Sequence, residues 1–133
     1  MSDNYEKISQ HWIDSSDNDY QTMQNLFRSS DYYWALFIGH LVIEKLLKAY
    51  YVKKFQTHAL FIHDLSRLAE KSGLKPSQSQ FDILDTITTF NINARYDDYK
   101  QEFYKRCTPK FTEQWIDNIG ALRLWIKEQL IQQ

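Results

Sequence analysis

The chain has 133 residues, 43% hydrophobic and 25% charged, with a net charge of −1; that is too apolar and too weakly charged for a disordered chain. Three Gly and two Pro are too few for a β-sandwich or barrel, which needs a turn every ~8–12 residues. The longest apolar run, Tyr32 to Gly39, is far short of the ~18–20 residues that span a bilayer. Twenty-one aromatic side chains can fill a core or an interface. The expected organisation is one all-α domain over residues 1–133, an up-and-down bundle of four long helices plus one short helix.

From Tyr5, the residues Ile8, Trp12, Tyr20, Met23 and Phe27 recur at helical spacing. The middle of this segment, Asp14 to Asp19, is poor in helix formers. Ser29-Ser30-Asp31 supplies a break and an N-cap. The next helix, from about residue 31 to 55, is apolar nearly all round: Trp34, Phe37, Ile38, Leu41, Val42, Leu46, Ala49 and Val52 on one face, Leu36, Ile43, Leu47 and Tyr50 on much of the other. Such a helix is packed on several sides.

A short helix runs from His63-Asp64 to Glu70 or Lys71, stopped by Gly73 and Pro76. Ser77 or Ser79 caps a helix whose Phe81, Leu84, Ile87, Asn91 and Ala94 form one stripe. Arg95-Tyr96-Asp97-Asp98-Tyr99 breaks that pattern. Thr108-Pro109 starts the last helix, with Phe111, Trp115, Ile119, Leu122, Ile126 and Leu130 along it.

Charge is uneven. Residues 1–31 hold six acids and two bases, whereas residues 44–75 hold three acids and seven bases. The basic segment reads either as a solvated face complemented by the acidic first helix or as a patch for an anion; a dedicated nucleic-acid binder is usually basic overall. Met1-Ser2-Asp3-Asn4 has no basic region followed by an apolar stretch, so no signal peptide is expected. The single Cys107 suits a reducing cytoplasm.

Glycine-rich phosphate loops, Cys pairs, HExxH and nucleophile elbows are absent, and no cofactor is expected. Three constellations could carry chemistry. His40, Glu44 and Lys48 stand at i, i+4, i+8 on the most hydrophobic helix, and burying them costs on the order of several kcal/mol unless they pair. Glu44 can pair with Lys48, and His40 can hydrogen-bond Glu44. The stripe is then either a satisfied pair that fixes helix register or a polar site on the bundle wall or at a subunit interface. In the second, Arg95 offers a planar fork for phosphate or carboxylate, and Tyr96 and Tyr99 can stack on bases; alternatively Arg95 ties its own loop to Asp97 or Asp98. In the third, His58, His63 and Asp64 lack a further firm ligand for a metal, so His63 or Asp64 reads as a helix cap and no metal site is expected.

Taken together, Trp12, then Ile43-Glu44-Lys45-Leu46-Leu47-Lys48-Ala49, then Ile62-His63-Asp64-Leu65, then Arg95-Tyr96-Asp97 resemble, in that order, the motifs of the HEPN domain family. His40 matches a further polar position of the family. The resemblance covers about residues 8–130. It implies a helical bundle, commonly a two-fold homodimer, with a link to nucleotides or RNA. It also implies a toxin–antitoxin-like context, because many members are ribonucleases or toxins paired with a small nucleotidyltransferase. Their signature is R-x(4–6)-H, with Arg and His of two subunits meeting at the dimer cleft.

No Arg of this chain has that His. The permitted positions hold Lys100, Gln101 and Glu102 after Arg95; Tyr33, Trp34 and Ala35 after Arg28; Ser72, Gly73 and Leu74 after Arg67. After Arg106 they hold Phe111, Thr112 and Glu113, and after Arg123, Glu128, Gln129 and Leu130. Metal-independent cleavage needs a proton-transfer group as well as a cation. The resemblance therefore implies a non-catalytic binding protein, with no catalytic residue assigned. Its candidate ligand-binding residues are Arg95, Tyr96, Asp97, Tyr99, His40, Glu44, Lys48, His63 and Asp64. The alternatives are a ribonuclease in which His40 or His63 replaces the missing His, and a purely structural dimerisation module.

Overall fold

The computed structural model describes residues 4–133; the reading of Met1-Ser2-Asp3 lies outside the described residues. Six helices follow one another: α1 (Tyr5–Arg28), α2 (Tyr32–Phe55), α3 (Leu65–Lys71), α4 (Gln78–Arg95), α5 (Asp97–Arg106) and α6 (Pro109–Gln132). The all-α bundle of four long helices is as the sequence predicts. None of the helices is long and apolar enough to cross a membrane.

Helix α2 is the axis. Twelve of its residues are buried, and α1, α4 and α6 pack around it with α3 and α5. The α1–α2 pair is antiparallel in a seven-residue register. Ser9 Oγ donates to the Ala49 carbonyl at 2.8 Å, and Ser16 Oγ to that of Val42 at 2.7 Å. These small polar side chains let the two backbones approach. Gly39 continues the close packing, since a Cβ there would stand 2.5 Å from Ile119 Cδ1 and 3.2 Å from Met23 Sδ. Helix α6 runs parallel to α2: Ile119 lies against Gly39, and Lys53 Nζ donates to the Leu130 carbonyl at 3.3 Å.

The propensity-poor stretch Asp14–Asp19 is continuous helix. Tertiary bonds override propensity there: besides Ser16, Lys45 Nζ reaches Asp19 at 2.7 Å and Ser15 Oγ at 2.8 Å. Asp17 ties α1 to α6 through Arg123 at 3.1 Å and Lys127 at 2.7 Å. The acidic first helix thus meets bases from two directions, and only Lys45 of these belongs to the 44–75 segment.

Caps set most helix ends. Asp64 accepts from Arg67 N, Ser77 and Gln80 form a capping box, and Thr108 accepts from Phe111 N ahead of Pro109. Gly73 takes the left-handed conformation (φ 81°) that ends α3. Asp31 occupies the N-cap position of α2 but makes no capping bond; its carboxylate accepts instead from Ser29 Oγ at 2.7 Å.

The sequence reading lacked α5. Tyr96 is extended (φ −103°, ψ 128°) and separates α4 from α5, so the Arg95–Tyr99 break is real but one residue long. Asp97 and Asp98 fill the first turn, and Lys105 and Arg106 the last, complementing the helix dipole at both ends. Only Phe103 is buried, stacked on Phe90 of α4 at 5.4 Å.

Candidate functional site

Helix α2 places His40, Glu44 and Lys48 one turn apart on the face toward α1 and the segment preceding α3. All are buried: His40 completely, Glu44 and Lys48 to 5% and 6% exposure. Lys48 Nζ meets Glu44 Oε2 at 3.1 Å and lies 5.4 Å over the Trp12 ring. The other carboxylate oxygen, Oε1, accepts from Nδ1 of His63 at 2.8 Å. His63 joins the stripe from outside, and its own side chain is 62% exposed.

The expected His40–Glu44 hydrogen bond is not formed. His40 Nε2 stands 3.8 Å from Glu44 Oε1 and donates at 3.1 Å to the backbone carbonyl of His63. Its Nδ1 is buried without a partner. That is the arrangement of a neutral imidazole, and burial lowers the His40 pKa, against the raising effects of the His63 carbonyl and Glu44. Burial is also the largest influence on Glu44 and pushes its pKa up. The His63 hydrogen bond, Lys48 and His40 together outweigh it, so Glu44 titrates below the ordinary carboxylate value. His40 and Glu44 therefore hold residue 63 twice, by backbone and by ring.

Asp64 is the N-cap of α3, the capping role expected of His63 or Asp64. The following amide, Leu65 N, donates to Thr88 Oγ1 of α4 at 3.1 Å. His58 packs edge-on to Tyr5 at 5.7 Å. No group of three His, Cys, Asp or Glu residues that could hold a metal occurs among the described residues.

The Arg95 constellation is separate. Arg95 ends α4 and is exposed. It does not pair with Asp97 or Asp98: its Nη1 donates to Asn91 Oδ1 at 3.3 Å, and its guanidinium lies 6.0 Å from the Tyr96 ring centre. Tyr96 and Tyr99 are each 54% exposed, and Asp97 is exposed in the first turn of α5. Arg95 lies seven residues beyond Thr88, about 10 Å along α4 at ~1.5 Å per residue. Within the described residues no hydrogen bond, ion pair or ring contact links it to the Glu44 cluster.

Of the basic 44–75 segment, Lys48 and Lys45 are used internally, by Glu44 and Asp19. Lys54, Arg67, Lys71 and Lys75 are exposed. Neither the Glu44–His63 bond nor the seating of Lys48 on Trp12 is visible as a spacing in the sequence. The only signal was that Trp12, Glu44 and His63 all fall within family-like motifs.

The profile of the HEPN domain family matches residues 9–129. No curated protein sequence matches the chain significantly. The fold is similar to the crystal structure of TT1696 from Thermus thermophilus, with a TM-score of 0.77 at 16% identity over 90% of this chain and 96% of that one. At that identity the likeness speaks for the fold alone.

Proposed function

The chain belongs to the HEPN domain family, and from that premise we propose that it is a non-catalytic, cytoplasmic binding protein, one domain over residues 1–133, that works as a homodimer. Its ligand is a nucleotide or RNA segment, or a small nucleotidyltransferase that itself handles nucleotides. Arg95 contacts phosphate, Tyr96 and Tyr99 stack on bases, and Asp97 borders the site. Glu44 and Lys48 hold the wall from which His63 projects. One observation carries this reading: Arg95 makes no ion pair among the described residues and stands exposed beside two exposed tyrosines. A cation neutralised by Asp97 or Asp98 would have argued for the structural module instead.

The test is binding of a short single-stranded RNA, read by fluorescence anisotropy at low and raised salt. Binding is expected to be weak and to fall as salt rises, because the net charge of −1 leaves only local cations to displace counterions. Arg95→Ala should weaken it more than Lys71→Ala does. Absence of binding at low salt would remove the RNA ligand and leave the nucleotidyltransferase partner or the structural dimerisation module.

A second reading, a metal-independent ribonuclease with a displaced His, is favoured by the Glu44–His63 bond. A carboxylate on Nδ1 orients the ring with Nε2 outward, as a general base requires. His63 is exposed and suits that role, whereas His40 is fully buried. RNA cleavage by highly purified protein that His63→Ala abolishes would establish it.

A further inference from the structure

We propose that the cleft between the first turn of α2 and the outer face of α5 binds a small aromatic anion, a flat ring system carrying one carboxylate or phosphate. The cleft is a hollow of about 320 Å³ lined by Tyr33, Lys100, Gln101, Tyr104 and Lys105. It continues past Tyr33, Tyr104 and Lys105 into a second hollow of about 370 Å³ that reaches Cys107. Each volume lies at the small end of small-molecule sites, which suits one or two fused rings with a head group.

The lining is selective in two ways. Tyr33 lies tilted on Trp34 at 4.9 Å and meets Tyr104 edge-on at 6.0 Å, while Tyr104 keeps 67% of its surface in water. An aromatic guest can cover that exposed ring. Lys100 holds its Nζ 5.4 Å over Trp34, and Lys105 lines both hollows. Neither lysine has a carboxylate partner among the described residues, and no acidic side chain lines either hollow. Two unneutralised ammonium groups beside these rings favour an anion over a neutral ring of the same size. This site shares no residue with Arg95, Tyr96 or His63 and stands whether or not those residues bind RNA.

Isothermal titration of the purified protein with 2-naphthoate and with AMP tests the proposal, each beside its uncharged counterpart, 2-naphthylmethanol and adenosine. Saturable binding of at least one anion is expected, and the one that binds identifies the source of the charge. Tyr104→Ala, and separately Lys100→Gln with Lys105→Gln, should weaken it about tenfold, and Lys71→Gln, at an exposed position on α3, should leave it unchanged. These positions are exposed or partly exposed, and unchanged helical circular dichroism verifies the fold. Three results would overturn the proposal: no binding of either anion, uncharged counterparts that bind equally well, or affinities that the cleft variants leave intact.

Discussion

Glu44 on α2 and His63 before α3 are joined by a 2.8 Å bond between Oε1 and Nδ1, so a nearly enclosed carboxylate fixes a ring that is mostly in water. The other oxygen of the same carboxylate is taken by Lys48. Glu44 is thus the one side chain that both neutralises a buried ammonium and orients the exposed imidazole.

Glu44→Ala is expected to destabilise the fold by roughly 3–5 kcal/mol, because it strands Lys48 as an uncompensated buried charge. For a chain of this size that corresponds to a fall in Tm of about 10 °C or more. Glu44→Ala combined with Lys48→Met removes both charges and should recover much of the loss. Calorimetry of the three proteins measures it, and a Tm unmoved by Glu44→Ala would show the pair to be incidental.

Stability should fall with acid in two stages. His40 has a folded pKa below its ordinary value of 6.5, so the unfolded chain binds its proton first. Its contribution is fully present above pH 6.5 and is lost as pH falls from there through the lower folded value. Glu44, also lowered, from 4.5, contributes above pH 4.5 and loses its contribution as pH drops further. Tm measured across neutral to acid pH should therefore decline below 6.5 and again below 4.5. In His40→Gln the first of these declines should be shallower than in the parent, and an identical slope would reject the assignment.

What could be read from the sequence was what recurs at helical spacing or stops a helix. The apolar runs gave α2, α4 and α6, Gly73 gave the end of α3, and Ser77 and Thr108-Pro109 gave the starts of α4 and α6. Helix α5 escaped because it buries only Phe103 and has no apolar stripe to count; its evidence is the pair Asp97-Asp98 at one end and Lys105-Arg106 at the other. The Glu44–Lys48 pair was legible because i and i+4 meet on any helix. His63 on Glu44 was not, since the two stand 19 positions apart with a loop between them. His40 was given the wrong acceptor for the same reason: the competing carbonyl belongs to that loop.

Gly39→Ala and Gly120→Ala should have opposite effects, although both glycines are inside helices. At Gly39 the new Cβ would meet Ile119 Cδ1 at 2.5 Å, and overpacking of this kind costs about 1–3 kcal/mol. The gain in helix propensity, about 1 kcal/mol, does not offset repacking the terminal methyl of Ile119, which is fully buried with Met23 Sδ also 3.2 Å from the new Cβ. At Gly120 the nearest atom is the Tyr20 hydroxyl at 3.4 Å, so the propensity gain stands. Chemical denaturation should show Gly39→Ala less stable than the parent and Gly120→Ala equal or more stable.

The last expectation is that the chain sediments as a dimer. The apolar surface that wraps nearly all round α2 is absorbed inside one protomer, since α1, α4 and α6 cover it. The motive lies on the surface: Phe61 is 97% exposed two residues from His63, and Ile92 is 45% exposed one helical turn before Arg95. Large apolar side chains left in water at this density favour an isologous contact, which buries each of them twice. Sedimentation at tens of micromolar protein should give about twice 16.0 kDa. Phe61→Asp and Ile92→Asp, tested separately, should shift the protein toward monomer without loss of helical circular dichroism, because neither side chain is in the core. A parent protein that sediments at 16.0 kDa under these conditions would reject the dimer.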